Sequence, residues 1–165
     1  MATADNIVGH SERRDWWGLG GWLLLSYLAA LSGAVFEPGT WYAQLAKPPL
    51  TPPGTAIAAV WLVLYGLMGA AAWLVWRARG FSGATTALVF FLAQLAANAA
   101  WSWLFFGLHL PLAALLDLII LWILLFGTVV LFWRVRQLAS ILLLPYLAWV
   151  SFAGYLNFGI WWLNR

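Results

Sequence analysis

The chain is dominated by stretches of about twenty consecutive, mostly apolar residues, separated by short polar breaks. Such a stretch is long enough to cross the hydrocarbon core of a bilayer as a helix, which takes about 20 residues. In water it would need apolar cover on every side. A chain of 165 residues that is 65% hydrophobic and 8% charged cannot supply that cover, since a soluble domain carries about a quarter charged residues. In hydrocarbon the backbone must satisfy its own hydrogen bonds, which favours helices over irregular chain. The expectation is an all-α membrane protein, a five transmembrane helix bundle.

The spans are expected at 16–36, 56–76, 83–108, 112–133 and 138–163. Residues 1–15 form a polar N-terminal tail, 16–165 a single transmembrane domain, and 37–55 a long loop. The tail contains Arg13 and Arg14, no small-residue cleavage site precedes a soluble domain, and further spans follow, so the first span reads as a retained helix and not a signal peptide. Arg13, Arg14, Arg77, Arg79, Arg134 and Arg136 fall on one side, Lys47 and Arg165 on the other. By the positive-inside rule the N-terminus is cytoplasmic, and the 37–55 loop and C-terminus lie outside a cell membrane.

The net charge of +3 is spread over scattered basic residues without a stripe, which sets nucleic acid aside. The absence of cysteine excludes disulfides, Fe–S sites and thiol catalysis. His10 and His109 lie outside the spans, so no histidine reaches a buried haem iron, and no metal site is expected. Asp117 is the acidic residue well inside a span, expected to reach the interface or a hydroxyl.

Polar and aromatic residues inside the spans are the functional candidates. Gln94, Asn98, Trp101 and Ser102 share one face of the third helix. Trp61 and Tyr65 are one turn apart on the second, and Tyr146, Trp149, Ala153 and Asn157 form a stripe on the fifth. Trp16, Trp17, Trp76, Trp133, Trp161 and Trp162 sit at expected helix ends and suit interfacial anchoring. Fourteen Trp exceed that need, and Trp61, Trp101 and Trp149 serve either core packing or the wall of a pocket for a flat ligand. In the loop, Trp41, Tyr42 and Leu45 are spaced like one face of a short helix, among Pro38, Pro48, Pro49, Pro52 and Pro53. It is either an interfacial anchor or a lid over the bundle mouth. Small residues on the third helix (Ala93, Ala96, Ala97, Ala100) and the second (Gly66, Gly69, Ala70) allow close approach, within the chain or in a homodimer.

The stretches W-Y-A-Q-L-A-K-P-P-L-T-P-P-G (41–54), V-W-L-V-L-Y-G-L-M-G (60–69), A-Q-L-A-A-N-A-A-W-S-W-L-F-F-G (93–107) and P-Y-L-A-W-V-S-F-A-G-Y-L-N-F (145–158) resemble the translocator protein / tryptophan-rich sensory protein family, TspO/MBR, in order and spacing. The resemblance implies a five-helix bundle, often dimeric, that binds protoporphyrin IX and benzodiazepine- or isoquinoline-type ligands beneath the first long loop. It carries over Trp41, Tyr42, Pro52, Trp61, Tyr65, Asn98, Trp101, Tyr146, Trp149 and Ala153 as ligand-binding candidates, and Lys47 is placed to meet a propionate. Trp61 and Trp149 match the tryptophans tied to light-dependent porphyrin degradation in some bacterial members, so they are the catalytic candidates. Ala93, Ala96, Ala97 and Ala100 match the family's bacterial dimer face. Thr55, Ala56 and Ile57 depart from a frequent Trp-Val-Phe, and Phe158 replaces the Tyr of the family's cholesterol pattern, so cholesterol binding is not expected.

The leading expectation is a membrane tetrapyrrole-binding and sensing protein that needs no cofactor. Light-dependent protoporphyrin oxidation ranks second. Transport of porphyrin or lipid ranks third, because no inverted repeat or coupling site is evident.

Overall fold

The computed structural model describes residues 4–36 and 38–165, with side chains of 16–32, 35, 36 and 38–165. Its elements are α1 (Ala4–Val35), α2 (Thr40–Gln44), α3 (Gly54–Gly83), α4 (Thr85–Ser102) with a π-helical turn at Trp103–Gly107, α5 (Pro111–Val135) and α6 (Gln137–Leu163). No strand occurs among the described residues. Four of these segments, 54–83, 85–107, 111–135 and 137–163, are long and apolar enough to cross a membrane. The backbone is helical from Ala4, so α1 begins within the polar segment ahead of the expected first span. Side chains of 1–15, including Arg13, Arg14 and His10, lie outside the described residues, as does Glu37.

The long helices close into a ring, α1 against α3, α3 against α6, α6 against α5, α5 against α4, and α4 back against α1. Inside the ring lie Met68, Ala71, Ala72 and Val75 of α3, Phe91 of α4, Leu125 and Phe132 of α5, and Leu143 and Tyr146 of α6. Leucines and isoleucines such as Leu116, Ile119, Ile120 and Ile123 face outward. That inversion fits a hydrocarbon solvent, where apolar burial gives helices little reason to associate and close packing must do so.

The glycines of α3 show how close packing is achieved. A Cβ on Gly69 would stand 2.8 Å from the Leu23 Cα, and one on Gly66 would stand 3.1 Å from the Tyr27 hydroxyl. That hydroxyl donates to the Leu62 carbonyl at 2.9 Å. The small face of α3 therefore seats α1 of the same chain. Trp76 is half-buried: its ring lies against Gly18, where glycine leaves room for it, and at 6.0 Å from Phe81. Trp16, Trp17, Trp133 and Trp162 are exposed, as anchors require. α3 also outlasts its expected end at 76, bending at Gly80, whose φ of 64° suits glycine.

Gly69→Ala is expected to lower thermal stability in detergent by about 1–3 kcal/mol, since backbone faces the new methyl. Gly20→Ala, where a Cβ meets nothing within 4 Å, should match or slightly exceed the wild type. Equal melting temperatures for the two variants would remove the glycine-seat argument.

Candidate functional site

At one end of the ring, α2 and the strap 45–53 cross the mouth. Pro48, Pro49, Pro52 and Pro53 have no N–H, so this segment cannot build a helix or ladder of its own. It leans on side chains instead. Trp41 stacks on His109 at 4.2 Å and meets Phe105 edge-on at 5.7 Å. Tyr42 meets Phe106 at 5.5 Å, and burial pushes its phenol above the usual pKa. Lys47 donates to the carbonyls of Ala43 and Leu45, at 3.4 and 3.1 Å, with its ammonium 4.7 Å from the Tyr42 ring centre. The segment 38–53 is thus folded over the bundle, and the spacing of Trp41, Tyr42 and Leu45 reflects the single turn of α2 and its cap.

Beneath the strap, the π-helical turn closes with the Leu108 N–H on the Trp103 carbonyl at 2.8 Å. The wider turn swings Phe105 inward to 2% exposure, where it stacks on Trp101 at 5.2 Å. Trp101 Nε1–H donates to Asn157 Oδ1 at 2.9 Å, and Asn157 Nδ2 donates to the Pro111 carbonyl at 2.8 Å. One amide thereby ties α4, α6 and the start of α5.

Deeper, a second amide does the same. Tyr65 OH donates to Asn98 Oδ1 at 2.6 Å, and Asn98 Nδ2 donates to the Tyr146 oxygen at 3.0 Å. α3, α4 and α6 are stitched through one buried side chain. Trp61 stacks on Tyr65 at 5.5 Å and meets Tyr146 edge-on at 5.9 Å. With both hydroxyls turned to Asn98, these rings offer carbon to Trp61.

Gln94, one turn from Asn98, is fully buried, yet neither of its amide atoms has a hydrogen-bond partner. Asp117 Oδ2 is likewise buried without one, so the hydroxyl expected for it is not in place at that oxygen.

Trp149 sits elsewhere on the seam between α3 and α6. It lines an open groove of about 720 Å³ with Val60, Leu64, Leu67, Pro145 and Phe152. Its ring contact is Phe152, at 5.6 Å. Trp61 lies against the tyrosines and is not among the groove's lining residues. Ala153 and Pro52 are half-buried. Among the described residues, no group of three His, Cys, Asp or Glu is placed to hold a metal ion. The arrangement suits a flat, apolar partner: aromatic faces, a groove with carbon walls, and few free polar atoms.

Residues 20–163 match the TspO/MBR family. The chain belongs to the TspO/MBR family. It is 42% identical to protein CrtK of Rhodobacter capsulatus over 137 residues, covering 82% of this chain and 86% of that one. It is 41% identical to the tryptophan-rich protein TspO of Chlorobaculum tepidum over 147 residues, or 85% and 91% of the two chains. The translocator protein of Bos taurus is 39% identical over 150 residues, or 88% and 89%. Family membership and the apolar helices make it an integral membrane protein.

Within this TspO/MBR chain the motif residues fall into three groups. Trp41, Tyr42 and Lys47 belong to the strap and α2, with Trp101 meeting their aromatic cluster from below through Phe105. Trp61, Tyr65, Asn98 and Tyr146 form the polar stitch and its aromatic cover. Trp149 opens on the groove. Sequence reasoning missed Phe105, Phe106 and Asn164 at this site, and it named Asn157 without a role. Phe105 and Phe106 carried only the signal of a Phe-Phe-Gly run, and Asn157 only its place on the α6 stripe.

Two amides one turn apart should respond in opposite ways. Asn98→Leu strands two buried tyrosine hydroxyls and should cost about 1–3 kcal/mol. Gln94→Met removes an amide that has no partner and should leave stability unchanged or raise it. Thermal unfolding in detergent reads both, and a Gln94→Met loss as large as that of Asn98→Leu would show that Gln94 is bonded.

Proposed function

We propose that this protein binds protoporphyrin IX or a similar flat tetrapyrrole at the α3–α6 seam and serves as a sensor of it. The carrying observation is the groove beside Trp149, whose volume of about 720 Å³ falls in the range of small-molecule sites, about 300–1,000 Å³. Apolar burial supplies most of the affinity, and each stacked indole or phenol adds about 1 kcal/mol. Trp61, against Tyr65 and Tyr146, is the adjoining aromatic face, and benzodiazepine- or isoquinoline-type ligands suit the same walls. Lys47, Trp41, Tyr42, Pro52, Asn98, Trp101 and Ala153 complete the proposed surroundings. In this reading α1 also spans the membrane, with the N-terminus cytoplasmic and the strap and C-terminus outside a bacterial cell membrane. A second copy docks on the stripe of Ala93, Ala96, Ala97 and Ala100, where Ala96 is exposed.

Titration with protoporphyrin IX should quench tryptophan fluorescence saturably. The Trp61→Phe, Trp149→Phe double variant should weaken binding about tenfold or more, from the loss of two indole contacts. Undiminished affinity in that variant would move the site elsewhere.

A second reading follows from Trp149 lining the groove, where a bound porphyrin would touch an oxidisable indole. In it, illumination drives oxidation of the bound porphyrin by dissolved dioxygen, which takes up the electrons, beside Trp61 and Trp149. A new absorbing product that needs intact protein and both indoles distinguishes this reading from binding alone.

The lack of native cysteine allows a direct test of orientation. Thr51→Cys should react with an impermeant maleimide from outside intact cells, and Ala78→Cys only after lysis. The reverse pattern would invert the proposed topology.

A further inference from the structure

We propose that the α3–α6 groove recognises its ligand through the backbone carbonyl of Ile141, and so selects flat apolar molecules that carry an uncharged hydrogen-bond donor. This deepens the ligand site proposed above and rests on it. The feature that points there is Pro145, which stands inside α6 and lines the groove. A proline has no N–H, so the carbonyl four residues earlier loses its helical partner, and the proline ring lies against that carbonyl. In α6 the carbonyl belongs to Ile141. It therefore sits on the same side of the helix as the Pro145 ring, at the end of the groove nearer the start of α6.

No side chain replaces the lost bond among the described residues. The two serines of α6 are committed elsewhere: Ser140 Oγ donates to the Val129 carbonyl at 2.7 Å, and Ser151 Oγ to the Leu147 carbonyl at 2.9 Å. The indole N–H of Trp149, one turn beyond Pro145, makes no hydrogen bond among the described residues, so it does not serve that carbonyl either. The other walls, Val60, Val63, Leu64, Leu67, Ala148 and Phe152, are hydrocarbon and have nothing to donate. Pro145 itself is exposed on a membrane-spanning helix. There lipid tails cannot take the place of water as a donor, and a backbone carbonyl without a partner is costly.

A ligand resting in the groove thus meets one strong acceptor in a carbon wall. An ionised carboxylate, an ester or an ether offers that acceptor nothing, because each presents only lone pairs. A protonated carboxylic acid or an amide donates to it. In a protoporphyrin the matching group is a side-chain acid in its neutral form, or an amide in its place, since the pyrrole N–H groups point into the macrocycle. No Lys, Arg or His lines the groove to hold the ionised form. The carbon walls set the shape of the ligand, and the carbonyl sets its chemistry.

Two neutral derivatives of protoporphyrin IX test this, the bis-amide with a donor and the dimethyl ester without one. Each is titrated into the protein in nanodiscs by tryptophan quenching, with uptake into empty nanodiscs subtracted. The wild type should bind the bis-amide about fivefold more tightly than the ester, the worth of one net hydrogen bond. Pro145→Ala restores the N–H and closes the Ile141 carbonyl into the helix. It should erase the advantage by weakening the bis-amide alone, with the melting temperature unchanged or raised. In the wild type the carbonyl ¹³C resonance of Ile141 should move on adding the bis-amide and stay in place with the ester. Equal binding of the two derivatives by the wild type would overturn the proposal. So would an equal loss of both in Pro145→Ala, because the variant would then have changed the shape of the groove and not its chemistry. A wild type that binds neither derivative sinks the tetrapyrrole reading itself, whereas ester and amide bound alike leave that reading standing and remove only the role of the carbonyl.

Discussion

One buried amide sets how three of the helices face one another. Asn98 accepts from Tyr65 and donates to Tyr146, so three helices share one side chain in a medium with no water to substitute for either bond. Interhelical bonds in membranes are individually modest. Their geometry is nevertheless exacting, because each hydroxyl has one good alternative to being stranded. This fixes the rotation of α3 and α6 about their axes. It thereby decides that Trp61 faces the tyrosines and that Trp149 faces the groove. The aromatic surfaces offered to a ligand are consequences of where the polar atoms had to go.

Close approach is the second requirement. Gly69 lets the Leu23 backbone come within contact distance of α3, Gly127 receives Phe90, and Gly159 receives Pro48. Each is a place where a larger residue would hold two elements apart. Packing here draws on dispersion between carbon surfaces that lipid tails would otherwise cover, so a few tenths of an ångström matter more than in a water-driven core. The same device serves α1 on α3 and the strap on α6.

Much of this architecture was legible in the sequence, for physical reasons that also mark its limits. Apolar runs of spanning length announce helices directly: 111–135 and 137–163 follow their expected spans closely, while 54–83 starts near its expected start and runs seven residues past its expected end at 76. Same-face spacing correctly paired Trp61 with Tyr65, because helical periodicity is local. Contacts between helices are not local. Nothing in the spacing distinguishes Asn98, which is fully engaged, from Gln94, which has no partner. Nor does Trp76 differ in sequence from the exposed end tryptophans, since its partial cover comes from Gly18, far away in the chain. Phe105 reaches the centre of the mouth only because the π-helical turn adds a residue to the last turn before Gly107, a shift that helical spacing hides. Asn164 looked like the end of a helix, and its amide bonds Ala46, in a loop 118 residues earlier.

The two ends of the molecule are held by bonds of different kinds. Deep in the ring, the Asn98 bonds are buried, and breaking them strands polar atoms in hydrocarbon. At the mouth, Asn164, Tyr155 and Ala46 are exposed, and each lost contact is replaced by solvent. The unpartnered Gln94 sharpens this contrast, because it is a cost the rigid part carries without visible return. A protein under selection for stability alone would exchange that amide for a hydrocarbon of equal size.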